Sequence, residues 1–114
     1  MNYTNKSFSE AFAEILKERQ IKLRSLGTKT NLNYSYFSKI IRKKKVPPID
    51  TIENISNALE IEPEFFVEYR IHKICEILYN NPQLTDSVSH YIFKLQNGIT
   101  ARVAEKKDKF GNKK

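Results

Sequence analysis

A chain of 114 residues and 13.4 kDa has room for one compact domain of about 60 to 70 residues with an appendage, which excludes a large multidomain enzyme. Hydrophobic residues at 39% and charged residues at 29% fit a chain that folds and buries a modest core, and exclude a disordered or fibrous one. A net charge of +7 comes without an apolar run near the roughly 20 residues of a membrane span, and without a basic and then apolar leader, so a soluble cytoplasmic protein is expected.

In chain order, Ser9 is placed to cap an amphipathic helix ending at Arg19, with Phe12, Ile15 and Leu16 turned to a core. A second helix spans Leu23 to Thr30, with Leu23, Leu26 and the small Gly27 on one side, and Asn31 stops it because Asn tolerates the left-handed conformation. Asn33 caps a third helix, Tyr34 to Arg42, whose spacing sends Phe37, Ile40 and Ile41 inward and Tyr34, Ser35 and Lys39 outward. The run Lys43-Lys44-Lys45-Val46-Pro47-Pro48 breaks that helix, since Pro48 disfavours helical geometry at Pro47 and neither proline donates. A fourth helix of about Asp50 to Leu59 repeats Ile52, Ile55 and Leu59, flanked by Ile49 and Ile61.

Glu62-Pro63-Glu64 opens a fifth helix, with proline at its first position and carboxylates at the positive end of the dipole, and Asn80-Asn81-Pro82 ends it after Tyr79. A sixth runs from a Thr85 cap to Gln96, stopped by Asn97-Gly98. Beyond it, Ile99 to Val103 has room for a further turn or two, and residues 104–114 read as a basic, disordered tail. With no strand signal anywhere, the expected class is all-α.

The inventory for catalysis is nearly empty. Cys75 is the single cysteine, expected as a buried inert thiol among Ile71, Ile74 and Leu78, and His72 and His90 are the only histidines, so no metal-ligand or nucleophile spacing exists. Three glycines cannot build a phosphate-cradling loop or a dinucleotide fingerprint. No cofactor, metal or enzymatic activity is expected.

Charge is unevenly placed. Residues 1–50 hold 11 Lys and Arg against 4 Asp and Glu, residues 51–80 hold 2 against 6, and residues 81–114 hold 7 against 3. Such segregation suits one face to a polyanion, whereas a high pI by itself fits a solvated surface equally well. Two short helices around a tight turn, the second exposing polar side chains beside a lysine loop, have the geometry that places one helix in the DNA major groove.

The segment IKLRSLGTKTNLNYSYFSKIIRKKKVP, Ile21 to Pro47, resembles without a gap the helix-turn-helix of Cro and phage-repressor-like (XRE-type) DNA-binding domains, and VPPIDTIENISNALEIEPEFF is similar to the fourth and fifth helices of those domains. The resemblance covers about residues 8–67 and implies a five-helix lambda-repressor-like domain followed by a C-terminal helical extension. It implies base contacts from Asn33, Tyr34, Ser35 and Lys39, and phosphate contacts from Tyr36, Arg42, Lys43, Lys44 and Lys45. Where the family usually opens its second helix with a phosphate-bonding Gln, this chain has Leu23, which shifts that contact to Lys22 or Arg24. Gly27 replaces the usual Ala. The family's ion pair between the first helix and the end of the third is replaced by apolar Leu16 and Ile41, a matched exchange that leaves no charge unpaired.

The extension, residues 68–103, repeats apolar residues at seam spacings of packed helices: Val67, Ile71, Ile74 and Leu78, then Val88, Ile92 and Leu95. Phe65, Phe66, Tyr69, Ile77, Tyr91 and Phe93 add apolar surface around these seams, more than a two-helix appendage hides. The expected interface of a homodimer is therefore Ile71, Ile74, Leu78, Val88, Ile92 and Leu95. The resulting expectation is a DNA-binding transcriptional regulator, a repressor acting as a homodimer on a palindromic operator of double-stranded DNA. The alternative is a protein-interaction module or antitoxin-like regulator whose C-terminal helices bind a protein antagonist.

Overall fold

The computed structural model of the chain describes the backbone of residues 3–107 and the side chains of residues 3–98. Among them are six helices and no strand: α1 (Phe8–Arg19), α2 (Leu23–Thr30), α3 (Tyr34–Lys43), α4 (Ile49–Leu59), α5 (Val67–Asn80) and α6 (Thr85–Lys107), with single 3-10 turns at Pro63–Phe65 and Pro82–Leu84. Two compact units divide the chain at residues 75 and 76.

The first unit is built on aromatic residues. Phe8, Phe12, Phe37 and Phe66 are all fully buried, with ring centroids 5.4 Å apart for Phe8 and Phe12, 5.9 Å for Phe12 and Phe37, and 4.4 Å for Phe8 and Phe66. Leu26, Ile40, Ile52 and Ile55 complete the layer, so α1, α2, α3 and α4 each contribute side chains to a single core. Leu16 belongs to this cluster, and the half-buried Ile41 packs against it.

Burial of Phe8 moves the start of α1. Ser7, not Ser9, is the N-cap, its hydroxyl accepting from the Glu10 N–H, while Ser9 lies buried within the first turn. The Phe8 N–H, an orphan donor of that turn, goes to the Glu68 carboxylate at 2.9 Å. Each of α1 to α4 then ends on a left-handed residue that is not glycine: Gln20, Asn31, Lys44 and Glu60, with φ of 56°, 62°, 53° and 59°.

The fifth helix does not open at Pro63. Phe66 is extended (φ −87°, ψ 132°), so the chain makes a 3-10 turn, straightens for one residue and restarts as α5 at Val67. That single extended residue turns the Phe66 ring into the core and resets the phase so that Tyr69 is buried too. Phe66 and Tyr69 therefore belong to the core and not to an apolar surface around the α5 seam.

Arg70 fixes this corner: its guanidinium donates to the carbonyls of Glu64 (2.9 Å), Phe65 (3.0 Å) and Thr4 (2.9 Å) and to Asn5 Oδ1 (3.0 Å), and lies over the Tyr3 ring. These bonds tie the start of α5 into the first unit, which runs to Cys75. The Cys75 thiol is exposed, contrary to its expected burial, because α5 buries only Tyr69 and leaves Ile71 and Ile74 beside the thiol in solvent.

In the second unit the Pro82–Leu84 turn leads straight into α6. Thr85 is not a cap: it is helical, and its hydroxyl donates to the Pro82 carbonyl at 2.6 Å. Nor does Asn97-Gly98 end the helix, which continues to Lys107 and takes in the first residues of the expected tail. A stop at glycine needs a left-handed backbone, and among the described residues no glycine has positive φ. The rest of that tail, residues 108–114, lies outside the described residues.

Two glycines make opposite predictions. A Cβ on Gly27 would stand 2.8 Å from the Leu32 carbonyl oxygen, whereas one on Gly98 meets nothing within 4 Å among the described residues. Gly27→Ala should lower stability by about 1 to 3 kcal/mol despite the better helix propensity of Ala. Gly98→Ala should raise helix content and not lower stability, and thermal unfolding with circular dichroism detection reads both.

Tyr69 donates its hydroxyl to the Glu53 carboxylate at 2.7 Å, and this bond, reinforced by burial and by the Glu53 charge, holds the phenol above its ordinary pKa of 10.0. A raised folded value favours the protonated phenol, so the stabilisation is fully present below pH 10 and is lost as pH rises through the folded value. Urea unfolding of Tyr69→Phe should show a deficit of about 1 to 2 kcal/mol at neutral pH that shrinks once the phenol ionises.

Candidate nucleic-acid interface

The corner between α2 and α3 is closed by backbone bonds. Asn31 takes the left-handed turn with its N–H on the Gly27 carbonyl, and the Leu32 N–H reaches the same oxygen at 3.2 Å. Thr30 is buried with its hydroxyl on the Leu26 carbonyl at 2.8 Å, and Asn54 of α4 donates its amide to the Thr30 carbonyl at 2.9 Å. Asn54 was not among the expected site residues; its signal is a polar residue set between the core positions Ile52 and Ile55.

Asn33 then starts α3. Its Oδ1 accepts the Ser35 N–H at 2.9 Å and the Ser35 hydroxyl at 2.8 Å, so the cap also orients Ser35. With Phe37 and Ile40 buried, the 3.6-residue period brings Ser35, Lys39 and Arg42 into one exposed stripe. Tyr34, 44% exposed, lies at the first position of the helix.

Tyr36 is half-buried, packs on the core with its ring 6.1 Å from that of Phe37, and lines an apolar cleft with Lys39, Ile40, Lys45, Val46, Pro47 and Pro48. Lys43 is the last residue of α3, Lys44 is its left-handed C-cap with the N–H on the Ile40 carbonyl, and the Lys45 N–H bonds that oxygen at 3.2 Å. The lysine run is therefore shaped by defined turn geometry.

On α2, Lys22 is the N-cap residue and gives no side-chain cap bond, and Leu23 packs against the core. Arg24 is exposed with its guanidinium carbon 4.7 Å from the centre of the Tyr34 ring. One turn on, Thr28 donates its hydroxyl to the Arg24 carbonyl and lines a cleft with Arg24, Gly27, Leu32, Asn33 and Tyr34. Thr28 was not expected; its i, i+4 spacing from Arg24 is the only trace in the sequence.

The electrostatics are one-sided. Residues 21–49 contain eight cations, Lys22, Arg24, Lys29, Lys39, Arg42, Lys43, Lys44 and Lys45, and no carboxylate; all eight are exposed, and among the described residues none is in an ion pair. Residues 50–69 contain six carboxylates and no cation. Among the described residues no three His, Cys, Asp or Glu side chains gather to hold a metal, and no helix is long and apolar enough to cross a membrane.

Of the residues expected at a dimer interface, Ile71, Ile74, Ile92 and Leu95 are about half exposed, while Leu78 and Val88 are half-buried. Ile77, Tyr79, Tyr91 and Phe93 are exposed as well, the last two at 63% and 60%.

Comparison with known proteins fits this geometry. The family model of the Cro/C1-type HTH DNA-binding domain matches residues 12–70, a span that begins inside α1, holds α2 to α4 entire and closes on Arg70. No curated protein and no solved structure was found to match the chain. A capped polar helix beside a closed turn, on a surface of unopposed cations and within the family's matched span, makes this chain a member of the Cro/C1-type helix-turn-helix DNA-binding domain family.

Proposed function

We propose that the chain is a cytoplasmic transcriptional repressor that binds a roughly palindromic operator as a homodimer and blocks the promoter it covers. The observation that carries the DNA half of this reading is the exposed stripe Ser35, Lys39 and Arg42, bordered by cations with no carboxylate between residues 21 and 49. In this reading α3 enters the major groove, with Asn33, Ser35 and Lys39 toward base edges. Lys22, Tyr36, Arg42, Lys43, Lys44 and Lys45 meet the flanking phosphates.

The homodimer is supported by the exposed apolar residues of α5 and α6. Apolar side chains at helical seam spacing are unfavourable in water, and a second copy supplies the same surface in return. A regulator of this size also needs two modules, because one short helix makes few base contacts.

Three variants test the two halves. Lys39→Ala should weaken binding to the selected operator by about 1 to 3 kcal/mol and change binding to random duplex much less. Lys44→Ala with Lys45→Ala should weaken binding to every duplex and flatten the slope of log K against log salt by up to about 2. For the dimer, light scattering of the full chain at tens of micromolar should give twice the chain mass. Ile92→Glu with Leu95→Glu, both exposed and outside the first unit's core, should give a monomer whose operator affinity falls by about 100-fold or more. A parent chain that is already monomeric without DNA would overturn the homodimer and assign this surface to a protein antagonist.

A further inference from the structure

We infer that Arg24 reads a guanine in the operator and that Tyr34 is the positioning residue that holds it there. This rests on the DNA-binding reading above and exchanges the roles expected of the two residues, a phosphate contact for Arg24 and a base contact for Tyr34.

The guanidinium of Arg24 lies over the Tyr34 ring at 4.7 Å, a contact from α2 to the first residue of α3. Arg24 makes no side-chain hydrogen bond or ion pair among the described residues, so its five N–H donors remain for an outside acceptor. A guanidinium resting on an aromatic face has already surrendered much of its rotamer freedom, and less is lost when it binds.

Position decides the acceptor. The ring ties Arg24 to the N-terminal end of α3, beside the Asn33 cap, and recognition helices meet base edges with their N-terminal residues. Phosphate charge is supplied elsewhere, by Arg42 to Lys45 at the opposite end of α3 and by Lys22 ahead of α2. The base edge that matches a planar, two-pronged donor is the O6/N7 pair of guanine, whereas a phenol makes no bidentate base contact. The cleft lined by Arg24, Thr28, Asn33 and Tyr34 leaves this pair open to solvent, and all four of these residues are exposed, so substitution does not disturb the core.

The experiment selects bound duplexes from a randomised double-stranded library with the full-length parent and with Arg24→Ala, Arg24→Lys, Tyr34→Phe and Tyr34→Ala. The parent should enrich duplexes with a fixed G·C pair at one position of each half-site. Replacing that guanine by 7-deazaguanine, which lacks the N7 acceptor, should weaken binding by about 10- to 100-fold. Arg24→Ala should make that one position indifferent while the others keep their preferences, and Arg24→Lys should restore it only in part. Tyr34→Phe, which keeps the ring, should select as the parent does, and Tyr34→Ala should blur the same guanine position.

If Arg24→Ala weakens all duplexes alike, leaves every preference in place and flattens the salt slope, Arg24 is a phosphate contact and the inference is overturned while the DNA-binding reading stands. If Tyr34→Ala leaves the guanine preference intact, the positioning role is overturned. A parent that enriches no sequence overturns the regulator reading and takes this inference with it.

Discussion

The corner between α2 and α3 is the constraint on which the functional surface depends. It closes because Gly27 has no Cβ to strike the Leu32 carbonyl oxygen, which an added atom would meet at 2.8 Å. Closure lets the Gly27 carbonyl accept from both Asn31 and Leu32. The contact between Arg24 and Tyr34 exists only because α2 and α3 meet at that spacing. A wider corner would leave α3 folded and capped but would separate the two residues, so the electrostatic surface depends on one steric fact.

The aromatic core holds the corner in place. Phe37 fixes the inner side of α3 against Phe12 of α1, which by helical geometry determines that Ser35, Lys39 and Arg42 face outward. At the other end of the unit, Phe66 packs on Phe8, Glu68 takes the Phe8 N–H, and Arg70 ties Thr4 to the turn at Pro63–Phe65. The start of α5 is therefore structural cement for the DNA-binding unit. The family match extends to Arg70, which makes the last of these contacts.

Much of this was legible in the sequence where local chemistry decides. The bounds of α2, the left-handed Asn31, the Asn33 cap and the inward Phe37 and Ile40 follow from residue type and spacing alone. Misses occurred where a tertiary contact outweighed a local signal, or where no contact backed the signal. Glu62-Pro63-Glu64 is a sound helix start, yet burial of Phe66 requires an extended residue soon after it. Ser9 is a sound cap, yet burial of Phe8 draws the helix back to Ser7. Asn97-Gly98 is a sound stop, yet among the described residues nothing close to Gly98 supplies a reason to turn, and a lone glycine costs a helix only about 1 kcal/mol. Cation–aromatic pairing of Arg24 with Tyr34 reaches across a turn, and no periodicity announces it.

Charge placement follows from the same architecture. The carboxylates of residues 50–69 lie on α4, the turn after it and the start of α5, and two of them are used internally, Glu53 accepting the Tyr69 hydroxyl and Glu68 the Phe8 N–H. Among the described residues the cations of residues 21–49 are used in no ion pair. A folded chain that needed its charges only for solubility gains by pairing opposite signs across neighbouring helices, and here α2 and α3 carry no carboxylate with which to do so. Eight unneutralised cations around one capped helix repel one another, and that repulsion is relieved when a polyanion displaces the counterions they hold. The self-repulsion of the free protein thus becomes part of the driving force for binding DNA, and it makes that binding sensitive to salt from the outset.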